Sequence, residues 1–426
     1  MTSFTQTNTN MKISERILIT SMILLMVIVH PSCTKDEPIT NDDGVIIDLE
    51  PNWVRLLHKE GTFFSNSSIR ENLIHDGHPI VATTDGEDNF YINKIDIGTG
   101  EDIWRWNDVY GTYIDISYSY LHDNLMWYQK SRDSYTIDLS NGTTIRKEQY
   151  EEPFDREISG LENMIFLRGI TQDSSSNNWY QLGYTCDLGT GQKSMFLKPN
   201  FSHNYIRNDG GAGATSNIVP FIENQDTFLS VVFSEPMENW YIDSYLGLYN
   251  FSEKEWIYDR VSLVTPTQGN SLSGFPIIYE GKVYMSLGNE IVCHNLYTGE
   301  QIWKEQFPLD FLFSGFIVEE GQVIANCENQ VLYCLDAKTG NQLWTGEGSG
   351  TSGRLRYLNG IVYFSGGSPS KVFAIEAATG ETIWRLEANL IERGTERFKS
   401  DLYVIPDKKK VIVCTFQNAY CFDAIR

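Results

Sequence analysis

Short apolar runs alternate with acidic or glycine-containing turns along this chain, and one combination of the two recurs. In its clearest form an apolar strand leads into an acidic turn with Thr-Gly, and a tryptophan follows four residues after the glycine. This pattern stands at 331–344 (VLYCLDAKTGNQLW), 372–384 (VFAIEAATGETIW), 291–303 (IVCHNLYTGEQIW) and 93–104 (NKIDIGTGEDIW). The alternation predicts β-strands, and the repetition indicates a repeat architecture before any catalytic motif is considered.

The turn glycines mark the copies of this repeat, and most steps between them are 40 to 49 residues long. This is the length of one four-stranded propeller blade. The step from Gly191 to Gly299 is 108 residues, so we expect a degenerate copy there, at Leu248–Trp256 (LYNFSEKEW) with a shortened turn. The residues that we assign to the repeat are Gly100, Gly142, Gly191, Gly299, Gly340 and Gly380, together with Trp53, Trp104, Trp256, Trp303, Trp344 and Trp384.

A second recurring feature is a two-residue turn upstream of each copy, made of Asp, Glu, Asn or Gly apart from Lys408, which is typical of a tight hairpin. Eight such turns predict eight blades, at 76–77, 123–124, 162–163, 223–224, 280–281, 320–321, 359–360 and 407–408. The last repeat ends at 419–423 before any tryptophan. Near the N-terminus, Trp53-Val54-Arg55 resembles the end of a repeat but is not preceded by the inner strand of one. We therefore expect an all-β, eight-bladed propeller of four-stranded blades, in which the N-terminal strand closes the last blade.

The AxDxxTGxxxW-like turn resembles the pyrroloquinoline-quinone (PQQ) repeat. That repeat is found in eight-bladed quinoprotein dehydrogenases and in the propeller lipoprotein of the outer-membrane β-barrel assembly machinery. The resemblance covers nearly all of the mature chain, with clear copies in blades one, five, six and seven. It implies that the tryptophan is an aromatic plate between neighbouring blades, and it says more about fold than about function.

Residues 1–32 predict a lipoprotein signal peptide. The apolar run at 17–29 is 13 residues long, too short to cross a bilayer but suited to a signal-peptide core. Ser32-Cys33 after this run resembles the lipobox of bacterial lipoproteins, which implies that Cys33 is lipidated and becomes the mature N-terminus. A cleaved soluble signal and an uncleaved anchor are the alternatives.

Residues 33–44 predict a flexible tether, and residues 45–426 the propeller. The tether opens with a lysine and an acidic pair at 35–37. These residues resemble the export signal that sends some Gram-negative lipoproteins to the cell surface, although an ordinary acidic tether would have the same composition. We therefore expect an outer-membrane lipoprotein, on the periplasmic side or at the cell surface.

The formal net charge of −23 narrows the classes of partner that the protein could bind. It disfavours nucleic acid, because binding there depends on lysine and arginine that neutralise phosphates. Much of the acidity lies in the repeat turns, so we interpret it as solvated loops rather than a cation-binding surface. The Gly-rich stretch 208–214 lacks the strand, helix and nearby lysine of a phosphate cradle, and it predicts a long loop open to a partner.

Two cysteine pairs flank equivalent hairpins. Cys327 and Cys334 are seven residues apart, and so are Cys414 and Cys421. Across a three-residue turn the two sulfurs would lie several rows apart, outside disulfide geometry. We favour free, buried thiols, with disulfides as the alternative in an oxidising envelope.

The sequence contains none of the catalytic motifs that we sought. His75 and His78 have HxxH spacing, but the Asp-Gly between them belongs to a hairpin turn. The motifs CxxCH, GxSxG and HExxH are absent. The adjacent cysteine pair that a PQQ-dependent dehydrogenase would imply is absent as well, so that function is the least favoured. We expect no enzyme activity, no cofactor and no metal site.

We therefore predict a non-catalytic, lipid-anchored propeller of the cell envelope that acts as a protein-interaction scaffold, with partners that the sequence leaves unidentified. The alternative is a surface lipoprotein that binds a glycan or another ligand. Its support is two aromatic pairs, Trp179-Tyr180 and Trp240-Tyr241, that could stack on sugars. Packing between blades would explain these aromatic residues equally well.

Overall fold

Each repeat folds into an antiparallel sheet, because apolar segments are separated by turns that allow the chain to reverse tightly. The structure is a computed structural model. It describes residues 40, 44–46, 49–58, 73–85, 89–109, 114–116, 119–130, 132–150, 154–172, 179–197, 217–236, 242–263, 275–311, 315–368, 370–387, 398, 402–415 and 417–426. The predicted signal peptide, Cys33, most of the tether and the Gly-rich stretch 208–214 lie outside these residues.

Blades 1 to 4 are built from consecutive strands. Blade 1 has β2 (Ile74–His75), β3 (His78–Thr84), β4 (Phe90–Ile95) and β5 (Asp102–Trp106); blade 2 has β6 (Ser119–His122), β7 (Leu125–Lys130), β8 (Asp133–Asp138) and β9 (Thr143–Gln149). Blade 3 has β10 (Phe154–Leu161), β11 (Met164–Gln172), β12 (Trp179–Asp187) and β13 (Lys193–Leu197); blade 4 has β14 (Asn217–Glu223), β15 (Asp226–Pro236), β16 (Ile242–Asn250) and β17 (Glu255–Ser262).

Blades 5 to 8 complete the ring. Blade 5 has β18 (Ile277–Tyr279), β19 (Lys282–Leu287), β20 (Glu290–Asn295) and β21 (Gln301–Gln306); blade 6 has β22 (Phe316–Glu319), β23 (Gln322–Cys327), β24 (Val331–Asp336) and β25 (Gln342–Glu347). Blade 7 has β26 (Gly350–Ser352) and β27 (Arg356–Leu358), which both pair with β28 (Ile361–Ser368), then β29 (Ser370–Glu376) and β30 (Thr382–Glu387). Blade 8 joins β31 (Tyr403–Ile405), β32 (Lys410–Cys414) and β33 (Asn418–Asp423) to β1 (Trp53–Leu56).

The order of the strands in each blade places the core between blades. First strands of neighbouring blades contact each other, as in β6 with β10, β10 with β14 and β18 with β22, so they lie nearest the centre of the ring. The two middle strands are almost continuously buried, whereas last strands such as β9 alternate exposed and half-buried residues and form the rim. One apolar cluster joins Tyr284 and Ile291 of blade 5 to Val323 and Leu335 of blade 6, and the others join neighbouring blades in the same way. This arrangement confirms the predicted eight-bladed propeller.

The N-terminal strand closes the ring as predicted. β1 pairs antiparallel with β33, with Trp53 opposite Cys421, so the first and last parts of the propeller share one sheet. Arg55 of β1 then forms an ion pair with Asp102 of blade 1. Burial acts to raise the pKa of Asp102, but hydrogen bonds from Asn93 and Arg105 and the charge of Arg55 outweigh it and hold that pKa below its usual value.

Six of the eight hairpin turns have the predicted residues, with positive φ at their first position. In blade 4 the turn lies at 224–225, because Glu223 pairs with Asp226 and extends the strand by one residue beyond our prediction. In blade 8 the turn is longer than predicted, because Pro406 opens a 3-10 turn that ends at Lys409 with φ of +50°. Among the described residues, no helix is long and apolar enough to cross a membrane.

His58 lies directly after the closing strand and is fully buried. The backbone N–H groups of Leu57 and His58 both donate to the carbonyl oxygen of Gln417, at 2.6 and 3.0 Å, and tie this segment to blade 8. Burial lowers the pKa of His58 from 6.5 to about 4. The ring closure therefore contains an imidazole that the folded protein keeps neutral.

We expect the free energy of unfolding to fall as the pH is lowered from 6.5 to about 4. In this window the unfolded chain binds a proton on His58 and the folded chain does not, so protonation favours the unfolded state. The full shift corresponds to about 3 kcal/mol. Urea unfolding across this range should show a smaller loss in His58→Gln than in the wild type. His122→Gln, which changes a half-buried histidine of β6, is the control and should keep the wild-type loss. Equal losses in wild type and His58→Gln would contradict the assignment.

Candidate functional site

The residues that define the repeat meet at the junctions between blades. Trp53 Nε1 donates to the carbonyl oxygen of Ile97 in the next blade at 2.8 Å. The ring of Trp53 lies so close to the turn glycine that a Cβ on Gly100 would be 2.8 Å from it. Gly100 also has a φ of +77°, so its position demands glycine both for conformation and for space.

The same contact recurs at three further junctions, always from the last strand of one blade to the turn of the next. The donor, the carbonyl acceptor and the glycine are Trp104, Leu139 and Gly142; Trp303, Ala337 and Gly340; and Trp344, Ala377 and Gly380. The indole N–H to carbonyl distances are 2.9, 3.0 and 3.0 Å, and a glycine Cβ would lie 2.7, 2.8 and 2.5 Å from the ring. We call this arrangement the docking contact.

The acidic residue and the threonine of the repeat shape the turn that receives the tryptophan. Asp336 Oδ1 accepts hydrogen bonds from the Thr339 hydroxyl at 2.8 Å and from the backbone N–H groups of Thr339 and Lys338 at 2.7 and 3.0 Å. These bonds, led by that of the Thr339 side chain, lower the pKa of Asp336. The N–H of Gly340 donates to the backbone carbonyl of Asp336 at 2.8 Å. The acidity of this turn therefore has a structural use.

At the junction of blades 2 and 3 an arginine takes the place of the tryptophan. Arg146 Nη2 donates to the carbonyl oxygen of Leu188 at 2.8 Å, and Nη1 donates to that of Gly189 at 2.7 Å. Glu148 pairs with Arg146 at 3.1 Å, and a Cβ on Gly191 would collide with both side chains. Gly191 thus keeps its position against a polar partner that the sequence did not reveal.

The degenerate copy in blade 4 has a turn of full length, not the shortened turn that we expected. Asn250 stands in the acidic position, and its Oδ1 accepts the N–H of Glu253 at 3.0 Å. Lys254 has a φ of +61° at the position where the other turns have glycine. Four residues after Lys254 comes Tyr258, not Trp256.

Tyr258 makes the docking contact of this blade. Its hydroxyl donates to the carbonyl oxygen of Leu296 at 2.8 Å, and a Cβ on Gly299 would lie 3.2 Å from its ring. Trp256 instead packs within its own blade, with its ring centroid 5.1 Å from that of Tyr249. Aligning the copies on the tryptophan therefore shifts this blade by two residues.

The remaining two junctions lack the indole hydrogen bond. Phe196 of blade 3 packs edge-on against Phe251 of blade 4, with centroids 5.4 Å apart. Trp384 of blade 7 is fully buried, but its Nε1 has no hydrogen-bond partner among the described residues. Blade 8 has no repeat turn to receive Trp384, because its last strand is β1 and is not joined to β33 by a turn.

The cysteines lie beside these contacts. Cys293, Cys334 and Cys421 pair across the sheet with Trp303, Trp344 and Trp53. Burial raises the pKa of Cys334 and Cys421 to about 12. Within the described ranges all six cysteines, including Cys186, Cys327 and Cys414, are buried, and none of them forms a disulfide. These thiols fill space between blades.

The histidine pair of the first hairpin belongs to a structural network. His75 Nε2 lies 2.9 Å from Asn124 Oδ1, and its Nδ1 lies 2.7 Å from Lys94 Nζ. His78 Nδ1 lies 3.1 Å from the backbone nitrogen of Ile97. No group of three or more His, Cys, Asp or Glu side chains in the described part of the chain could hold a metal ion.

Blades 3 and 4 depart from the others in the length of their middle strands. β11 and β12 have 9 residues each, and β15 and β16 have 11 and 9, against 6 in both middle strands of blades 2, 5 and 6. In an antiparallel blade the turn between the two middle strands lies on one face of the propeller, and the acidic repeat turns lie on the opposite face. Trp179 and Tyr180 begin β12, whereas Trp240 and Tyr241 lie outside the described residues. Two neighbouring hairpins thus extend beyond the common blade.

We expect Trp303→Ala to lower the free energy of unfolding by about 3–5 kcal/mol, because it removes a buried aromatic plate and one of the two donors to the carbonyl of Ala337, the other being the Tyr284 hydroxyl. Ile302→Ala is the matched control, since Ile302 precedes it in the same strand and is 43% exposed. That substitution should cost within about 0.5 kcal/mol. Urea unfolding measures both, and similar costs for the two variants would contradict the docking role.

Comparison with known proteins gives a partial family match and a fold match. Residues 256–426 match the family model described as PQQ_2, outer membrane protein assembly factor BamB. Among curated proteins none matches the chain. The designed protein Ika8 is 12% identical, with a TM-score of 0.59 over 86% of this chain and 99% of its own. Sqt1 of Saccharomyces cerevisiae is 12% identical, with a TM-score of 0.60 over 89% of this chain and 100% of its own.

BamB from Moraxella catarrhalis is 10% identical, over 86% of this chain and 99% of its own, with a TM-score of 0.49. Identities this low show the fold alone for the designed and yeast proteins. The family match spans the last strand of blade 4 and blades 5 to 8, where the docking contacts of Trp303 and Trp344 lie, and it confirms the resemblance to the PQQ repeat. The chain is an eight-bladed β-propeller whose residues 256–426 are similar to the PQQ-type repeat described for the outer membrane protein assembly factor BamB.

Proposed function

We propose that this protein is a non-catalytic scaffold of the cell envelope, anchored in the outer membrane by a lipid on Cys33, that binds partner proteins. The observation that carries the proposal is the use of the repeat residues. Trp104, Trp303 and Trp344 of three clear copies dock one blade on the turn glycine of the next, and in blade 6 the acidic residue and the threonine hold that turn. The motif therefore builds a rigid ring and leaves its own side chains no chemistry to perform.

A rigid ring is a suitable base for binding, because its connecting segments can vary without disturbing the core. The long hairpins of blades 3 and 4 are the largest departure from the common blade, and they are neighbours on one face. They also lie outside the part of the chain that matches the family model. We therefore place the main partner contact on these two hairpins. The strong negative charge of the chain makes nucleic acid an unsuitable partner.

Glycan binding is the second candidate, and one observation favours it. Trp179 and Tyr180 begin β12, the second strand of the long blade 3 hairpin. Aromatic rings can stack on the apolar faces of sugars. The same residue pair precedes β16 in the sequence of blade 4. A surface lipoprotein beside a nutrient transporter would use such residues to stack on sugar rings.

Lipidation is tested by growing cells with an alkyne-labelled palmitate and isolating the protein. We expect the wild type to carry the label and to sediment with outer membranes, and Cys33→Ser to carry none and to leave the membrane fraction. Cys186→Ser changes a buried thiol and is the control that should keep the label. A wild type without label would overturn the anchor.

The scaffold role is tested by cross-linking the intact lipoprotein in its native membrane, followed by affinity capture and mass spectrometry. Cys33→Ser has the same ring without the proposed anchor, so proteins recovered only with the wild type are envelope partners. Recovery of the barrel-assembly machinery would support the scaffold proposal. Recovery of a surface transporter or a bound polysaccharide would overturn it in favour of ligand binding.

A further inference from the structure

The outward face of β1 differs from that of the other rim strands. In six of the other seven rim strands, all except β13, the residue after the docking position is polar or charged: Arg105, Lys147, Asp259, Lys304, Thr345 and Arg385. In β1 the residue after Trp53 is Val54, and Leu56 is the next outward residue. Val54 is 53% exposed and Leu56 is 65% exposed, the highest fraction among the large apolar residues that the structure describes. Both point to solvent at the rim of blade 8.

The chain reaches this rim from the N-terminal side along blade 7. The N–H of Ile46 donates to the carbonyl of Ile383 at 3.1 Å, and the N–H of Arg385 donates to the carbonyl of Ile46 at 2.8 Å. Ile46 thus adds a short parallel segment to the outer edge of β30. Thr40 forms an antiparallel bridge with Ile46, so it lies at the same edge. Thr40 and Ile46 therefore lie at the rim of blade 7, and β1 forms the rim of blade 8.

Chain length limits how far this rim can lie from the proposed anchor. Cys33 and Thr40 are 40 − 33 = 7 residues apart in the sequence. A fully extended segment of that length spans at most about 25 Å. A bilayer that holds a lipid on Cys33 would therefore lie within this distance of Thr40, at the rim that leads into β1.

The charges beside β1 also suit a lipid surface better than the net charge of the protein suggests. Asp102 is paired with Arg55 and Arg105, and Asp423 is paired with Lys410 at 2.5 Å. Two carboxylates that would repel lipid phosphates are thus neutralised locally. On the neighbouring rim strand β5, Ile103 is 44% exposed and extends the apolar surface.

We propose that Val54 and Leu56 rest on the surface of the lipid bilayer that holds the anchor, so that the disc stands with the rim of blade 8 toward the membrane. This inference rests on the proposed lipidation of Cys33. Apolar side chains gain free energy by leaving water at the acyl boundary, and such a contact adds to the hold of a lipid chain. The contact would direct blades 3 and 4, on the far side of the ring, away from the membrane.

The test uses the full lipoprotein in vesicles of outer-membrane phospholipid. Leu56→Cys is labelled with an environment-sensitive fluorophore, and Leu343→Cys on blade 6 is the matched control because Leu343 is 51% exposed on an equivalent strand. The native cysteines of the described residues are buried, so the labelling is selective. We expect the label at 56 to shift to shorter wavelength on reconstitution, and a spin-labelled phospholipid to quench it several-fold more than the label at 343. Equal quenching at the two positions would overturn the proposal.

Two further measurements separate the possible failures. If palmitate labels the protein but the fluorophore at 56 is not quenched, the membrane contact is wrong and the lipid anchor stands. If palmitate does not label the protein, both are wrong. A blue shift at 56 that appears without lipid and grows with protein concentration would show that a second copy covers β1, and this too would overturn the membrane contact.

Discussion

The propeller depends on one contact, an aromatic ring laid on a turn glycine of the next blade. Each part of that contact excludes substitutes. A side chain on the glycine would enter the space of the ring, and the positive φ of the turn would strain any other residue. The indole N–H donates to a backbone carbonyl of the next blade. Because the contact joins the last strand of one blade to the turn of the next, it sets the spacing of the blades as well as their cohesion.

The contact is kept most completely where the chain retains the clear repeat, and other chemistry replaces it from blade 2 to blade 4. Arg146 reaches the same carbonyl as an indole would, Tyr258 uses its hydroxyl, and Phe196 offers only its ring. What these junctions share is a side chain that fills the space above the turn of the next blade. The geometry of the junctions is therefore more constant than the residues that produce it. For this reason blades 2 to 4, whose repeats have diverged, still take their places in a ring of eight blades.

This difference explains what the sequence could predict. Period and hairpin residues gave the blade number and the closing strand, because Trp53 stands in the chain without a strand of its own before it. The sequence could not place the turn of blade 4, because Lys254 adopts a φ of +61° that residue type alone would assign to glycine. It missed Arg146 because a charged residue is not expected to stand in for an indole. A register argument counted from the acidic turn residue, rather than from the tryptophan, would have found Tyr258.

The junction between blades 7 and 8 shows how the two ends of the chain are used. At this junction the next blade has no repeat turn, and Trp384 belongs to an apolar cluster against which Ile46 and Ile425 pack. The C-terminus is held by Arg426, which pairs with Glu376 of blade 7 at 2.6 Å. Ring closure thus depends on the segment that leads from the proposed anchor. A load on the proposed lipid at Cys33 would reach Ile46, 13 residues along the chain, before β1, and would act on the segment that closes the ring.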